Sequence, residues 1–218
     1  MEYSTEFNGE FTINRPVDDA TYNLLRGMAL TRRMKRDVAK LGKRIYKKSR
    51  ATKEDVLAWE KEFGAQGEFW ISDSNEMGEE NTDDILDYNH PPDSQPGLWC
   101  AWLIQEDRQT IIWDGSGEFY HYTEWIKYFI KSILTPRGYT VEGRIYWQED
   151  DAECWQEDDA ENAGYIGIVD NVVFERNRVS FYLDDSDIKR VTKIVNDYLS
   201  NPLKEIMDHK LDGNGEKA

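Results

Sequence analysis

Between residues 5 and 14 apolar and polar positions alternate, with Phe7, Phe11 and Ile13 on one side. That is the period of a half-buried β-strand, and Gly9 inside it predicts a bulge. Pro16 stops the strand, and the acids of Val17-Asp18-Asp19 favour a helix N-terminus. Leu24, Met28, Met34, Val38, Leu41 and Ile45 then form a helical stripe, predicting one helix over 17–47, weakened at Gly42. A second helix is expected over 53–63, opened by Thr52 as N-cap with Asp55 in capping-box spacing. Residues 72–97 have few apolar anchors and read as a long surface loop. Residues 98–104 and 110–113 are β-rich runs around a polar tip at 105–109, a hairpin signal. In 98–104, alternation sets Leu98, Cys100 and Trp102 on one face and Trp99, Ala101 and Leu103 on the other. Helical spacing returns from Tyr122 to Ile133, closed by Pro136 and Gly138. Strands over 139–147 and 165–174, a short one over 179–183 and an amphipathic helix over 188–207 complete the chain, before a tail at 209–218. Strands joined mostly as hairpins, mixed with separate helices, predict an α+β domain over 1–208: a mainly antiparallel sheet covered by helices, with long acidic loops.

Charge changes this picture more than composition does. The 218 residues are 39% hydrophobic and 13% aromatic, a folded composition, yet 43 acids against 27 bases leave a net charge of −16. Binding nucleic acid through general phosphate neutralisation needs the opposite sign. No apolar run approaches a membrane span, and the first residues have neither a basic nor an apolar signal region, so a cytoplasmic protein with no membrane partner is expected. Residues 31–50 hold ten Lys/Arg and one acid, Asp37, whereas 72–97 hold eight acids and no Lys or Arg. Residues 148–161 also hold eight acids without a base. The basic stretch suits a solvated face or one pairing internally with the acidic loops. The lesser alternatives are a helix contacting phosphates, the one route by which nucleic acid is expected to bind, and a face for protein partners.

Within the second acidic stretch, residues 147–154 (WQEDDAEC) are followed at once by 155–162 (WQEDDAEN), seven of eight identical. A local duplication tolerated in a hairpin loop explains this, because added loop length costs little. The functional alternative is a doubled acidic surface carrying tryptophans, formed by Trp147, Glu149, Asp150, Asp151, Trp155, Glu157, Asp158 and Asp159. Carboxylates spaced along such a surface imitate backbone phosphates and suit a partner protein with a basic surface.

Catalytic signatures are poor. His90, His121 and His209 lie far apart, and no phosphate-binding glycine loop, nucleophile elbow or calcium-loop pattern occurs. Cys100 sits in an apolar run, and Cys154 lies among carboxylates that raise a thiol's pKa. No catalytic residue, cofactor or metal site is assigned. The tryptophans form a core or, alternatively, an aromatic pocket for a nucleotide-like ligand, built from Tyr88, Asn89, His90, Gln95, Trp99, Trp102 and Trp113 with Arg32 and Arg33 for an anionic group.

Several motifs carry a resemblance: Gly9-Glu10-Phe11, Arg32-Arg33-Met34, Asp87-Tyr88-Asn89-His90-Pro91-Pro92, Gln95-Pro96-Gly97-Leu98-Trp99-Cys100-Ala101-Trp102, Trp113-Asp114-Gly115, Tyr122-Thr123-Glu124-Trp125 and Gly138-Tyr139. From about Phe7 to Val173 the chain resembles a family of uncharacterised small proteins from bacteria and their tailed phages, departing from it at the doubled acidic loop and after about residue 178. The resemblance implies a phage or bacterial setting and transfers no catalytic residue. Three functional classes follow: an interaction protein, such as a phage-encoded inhibitor of a host defence or nucleic-acid-processing factor acting in the host cytoplasm; a nucleotide-sequestering module; or a metal-dependent hydrolase using clustered carboxylates.

Overall fold

The computed structural model describes residues 5–74, 76–117, 119–149 and 163–177. It is an α+β fold, with a six-stranded antiparallel sheet in the order β4 (Trp102–Ile104), β5 (Thr110–Trp113), β1 (Thr5–Ile13), β6 (Val141–Glu149), β7 (Ala163–Val169) and β8 (Val172–Asn177). The first strand, β1, lies at the centre, between β5 and β6. Its pairing with β6 is unbroken from Thr5 opposite Glu149 to Ile13 opposite Val141, so the expected bulge at Gly9 does not form. Gly9 serves close approach instead: its φ is +123°, and a Cβ there would lie 2.5 Å from the Arg144 carbonyl oxygen.

One face of the sheet is covered by α1 (Asp19–Ala29) and by α4 (Tyr122–Tyr128), which runs on through a π-turn at Phe129–Leu134 and a 3-10 turn at Thr135–Arg137. Phe11, Ile13, Trp102, Ile104, Ile111, Val141, Ile145, Ile166 and Ile168 from the strands bury against Leu25, Met28, Trp125, Ile126, Phe129 and Ile133. The strand expected over 98–104 is β4 (Trp102–Ile104) alone; Cys100, Ala101, Trp102 and Ile104 are all buried in this core, so the expected alternation does not hold at Ala101, while Trp99 is exposed.

Two of the expected elements are each divided into two. The helix predicted over 17–47 is two helices, α1 and α2 (Val38–Ile45), separated by an extended stretch containing β2 (Lys35–Arg36). In that stretch Arg32, Arg33, Lys35, Arg36 and Asp37 donate backbone N–H bonds to the carbonyls of Met77, Leu98, His90, Gln66 and Asp84. Long-range partners for the backbone outweigh a continued helix there, and Asp37 restarts it by accepting from the Lys40 N–H at 3.0 Å. The strand expected over 165–174 is a hairpin, β7 (Ala163–Val169) and β8 (Val172–Asn177), reversed at Asp170 (φ 48°) and Asn171 (φ 65°). Positive φ at two successive residues is the geometry of a two-residue turn that matches strand twist.

α3 (Lys53–Phe63) has the expected capping box: Thr52 accepts from the Asp55 N–H and Asp55 from the Thr52 N–H. With α2 it encloses a second, smaller core of Val38, Leu41, Trp59, Phe63 and Trp70. The strand and helix expected over 179–183 and 188–207, and the tail, lie outside the described residues. Among the described residues no helix is long and apolar enough to cross a membrane.

Candidate functional site

The acidic segment 72–97 is no free loop, because it wraps the extended stretch between α1 and α2 and supplies β3 (Ile85–Asp87), which pairs with β2. Its centre is Asp84, fully buried, which accepts from Arg36 at 2.7 Å and from Arg44 at 2.8 and 3.3 Å. Burial alone would raise the Asp84 carboxyl; the hydrogen bonds from Arg44 and Arg36 outweigh it and hold the pKa below its ordinary value. Arg36 also donates to the Gly78 carbonyl and lies over the Trp70 ring, 3.9 Å from its centroid.

Other cations of the basic segment are committed in the same way. Arg32 pairs with Glu79, Lys35 with Asp93 and Lys48 with Asp55, and Lys40 donates to the Asp83 carbonyl. Arg33 is buried, donating to the carbonyls of Gly67, Glu68 and Trp70 and to the Gln95 side-chain oxygen. Burial lowers its pKa to about 10, so it stays protonated at neutral pH. Arg32, Arg33, Arg36 and Arg44 are therefore held internally, with Lys35 and Lys40 also on the acidic segment, whereas Lys47 and Arg50 at the end of the basic segment are exposed.

The residues proposed for a nucleotide-like pocket fall into separate places. Arg32 lies over the ring of Tyr88, whose hydroxyl donates to the Glu79 carbonyl. His90 and Gln95 line an open cleft of about 430 Å³ with Lys35, Asp87, Pro91, Pro92 and Asp93. His90 Nδ1 is 2.9 Å from Asp87 Oδ2, and Asp87 also accepts from the Asn89 N–H. The Asn89 bond foremost, then His90, lowers the Asp87 pKa. Gln95 is buried, tied to Arg33, the Glu68 carbonyl and the Tyr128 hydroxyl. Trp102 is fully buried with Nε1 bonded to the Tyr122 carbonyl, and Trp113 packs beside Phe7. Trp102 and Arg33 are thus core groups, with no surface to offer a ligand.

Of the acidic, Trp-bearing set, Trp147 is 6% exposed and packs against Tyr122, so its ring belongs to the core. Glu149 ends β6; Asp150, Asp151, Trp155, Glu157, Asp158 and Asp159 lie outside the described residues. Among the described residues no group of three or more His, Cys, Asp or Glu is placed to hold a metal ion. Cys100 is buried, which pushes its thiol pKa far up and leaves it unsuited as a nucleophile.

What the pattern reading missed is the face of the sheet that no described helix covers. Glu6, Asn8, Glu10 and Thr12 of β1 and Glu142, Arg144, Tyr146 and Gln148 of β6 are all exposed, alternating with core neighbours. Tyr146 stands opposite Tyr165, their ring centroids 6.0 Å apart, and the Phe174 ring meets Tyr165 edge-on at 6.1 Å. The alternation of 141–148 was available to locate this face; that Tyr165 and Phe174 join it depended on the unrecognised turn at Asp170-Asn171. No family model, curated protein or solved structure matches this chain in comparisons with known proteins.

Proposed function

We propose that this chain is a non-enzymatic interaction protein that binds a partner with a basic surface. The observation that carries this reading is the internal commitment of the basic segment to the acidic one. With Arg32, Arg33, Arg36 and Arg44 taken by Glu79, backbone carbonyls and Asp84, much of the clustered positive charge is withdrawn from offsetting the carboxylates elsewhere on a chain of net charge −16. A surface of one dominant sign attracts the opposite sign and accelerates encounter at low salt. The same commitment weighs against the nucleotide-sequestering alternative, which needs Arg32 and Arg33 for an anionic ligand. The finer assignment, a phage-encoded inhibitor of a host defence or nucleic-acid-processing factor in the host cytoplasm, draws its support from the sequence resemblance and from the likeness of spaced carboxylates to backbone phosphates.

The test is affinity capture from bacterial lysate with the wild-type chain and a variant carrying amides for the acids of 148–161. A specific partner retained at about 50 mM salt, released at about 500 mM and lost by the variant is the expected result. Capture unchanged in the variant refutes the contribution of that loop. In parallel, thermal unfolding against a nucleotide panel is expected to show no shift, since a ligand of the native state raises the midpoint by mass action.

A further inference from the structure

We propose, resting on the reading of the chain as an acidic interaction protein, that the face of β6, β7 and β8 opposite α4 docks an arginine-rich segment of the partner. Tyr146, Tyr165 and Phe174 come from three adjacent strands and form one aromatic patch on this face. Tyr146 is 55% exposed. The patch is built rather than incidental: Phe174 lies across Gly167, its register partner, where any Cβ would collide with the ring.

The face already displays the contact it would offer a partner. The Arg144 guanidinium stacks over Tyr165, 4.4 Å from the ring centroid, and its Nη1 reaches the Tyr146 hydroxyl at 3.4 Å. A planar guanidinium stacks on aromatic rings better than an ammonium does, so the surface favours arginine over lysine. The same face carries Arg176, exposed and opposite Tyr165, and, on the β1 side, the exposed carboxylates of Glu6, Glu10 and Glu142, which have no side-chain partner among the described residues. Three carboxylates against the two arginines leave the face net acidic, which favours an incoming cation over the polyanion that a base-stacking platform for single-stranded nucleic acid would hold. The connection between β6 and β7, residues 150–162, adds seven acids and no Lys or Arg to the hairpin that carries Tyr146 and Tyr165. Charge on that connection steers encounter, and the rings fix what stays bound.

The experiment is fluorescence anisotropy of the full chain with three labelled probes: an arginine-only peptide, a lysine-only peptide of equal length and an oligothymidine. The arginine peptide is expected to bind several-fold more tightly than the lysine peptide and to retain that preference at about 300 mM salt. Tyr146→Ser, at an exposed position, is expected to weaken the arginine peptide about tenfold and to erase the preference. Tyr165→Ser, with its fold verified by circular dichroism, is expected to do the same. Amides in place of the acids at 150–161 are expected to weaken both peptides at low salt while leaving the preference intact. Binding lost on that neutralisation, with Tyr146→Ser inert and no preference for arginine, overturns the docking face and leaves the acidic-interaction reading standing. Failure of both peptides to bind, or tighter binding of the oligothymidine, overturns the two together.

Discussion

Asp84 accepts from two arginines, Arg36 and Arg44, of which Arg36 is buried beside Trp70 with its guanidinium also donating to the Gly78 carbonyl. Removing one partner of a buried pair leaves an uncompensated charge, so Asp84→Asn is expected to cost about 3–5 kcal/mol in urea unfolding. Because the folded carboxyl has a lowered pKa, its contribution is complete above the ordinary value near ~3.9 and is lost as pH falls through the folded value. Thermal midpoints followed downward through that acid range are therefore expected to drop more steeply for the wild type than for Asp84→Asn. Gly42 is decided by space: a Cβ there would run into the indole of Trp59, which is itself stacked on Tyr46 at 5.8 Å. Alanine improves helix propensity by up to about 1 kcal/mol, yet overpacking a buried ring costs about 1–3 kcal/mol. Gly42→Ala is expected to lower the melting temperature and alter tryptophan fluorescence, and an unchanged midpoint would show that Trp59 can yield.

Elements whose signals are local were legible. The capping box of α3 follows from Thr52 and Asp55 alone, and Thr52→Ala is expected to cost about 1 kcal/mol, read as a shift in urea midpoint at constant m-value. The 105–109 tip is local too: Asp107 accepts from the N–H groups of Gln109 and Thr110 and from the Thr110 hydroxyl. By contrast, the stripe Met34–Val38–Leu41 has helical spacing although Met34 lies in the extended stretch. Periodicity counts apolar positions and does not register the carbonyls of Met77, His90 and Asp84 that claim the backbone between the helices. Asp37, the one acid of the basic run, was the available sign of a new N-terminus.

At the scale of the molecule, clustered opposite charges have different fates. The 31–50 and 72–97 stretches meet and pair, whereas the exposed carboxylates of β1 and β6 stay open to solvent. Deleting residues 155–162 restores a single copy of the duplicated segment and removes four carboxylates, Glu157, Asp158, Asp159 and Glu161. Changing the length of a connection costs on the order of 0.6 kcal/mol per doubling, and fewer like charges relieve self-repulsion. The deletion is expected to leave the thermal midpoint nearly unchanged while weakening partner binding, with the larger loss at low salt. Native affinity in the deletion variant would assign the duplication no binding role.

The sequence by itself determined the α+β class, the capped helix, the alternating strands and the segregation of charge, because periodicity, capping and formal charge are properties of neighbouring residues. Only tertiary structure decided that β1 sits at the centre of the sheet, that Arg33 and Arg36 turn inward, and that Trp102 and Trp147 fill the core. It also decided that Tyr146, Tyr165 and Phe174 share an open face. Each of these depends on partners far along the chain: strand register, a buried acceptor, or which side of the sheet α1 and α4 pack against. Local pattern sets which side of an element is apolar; long-range pairing sets what that side, and the other, will meet.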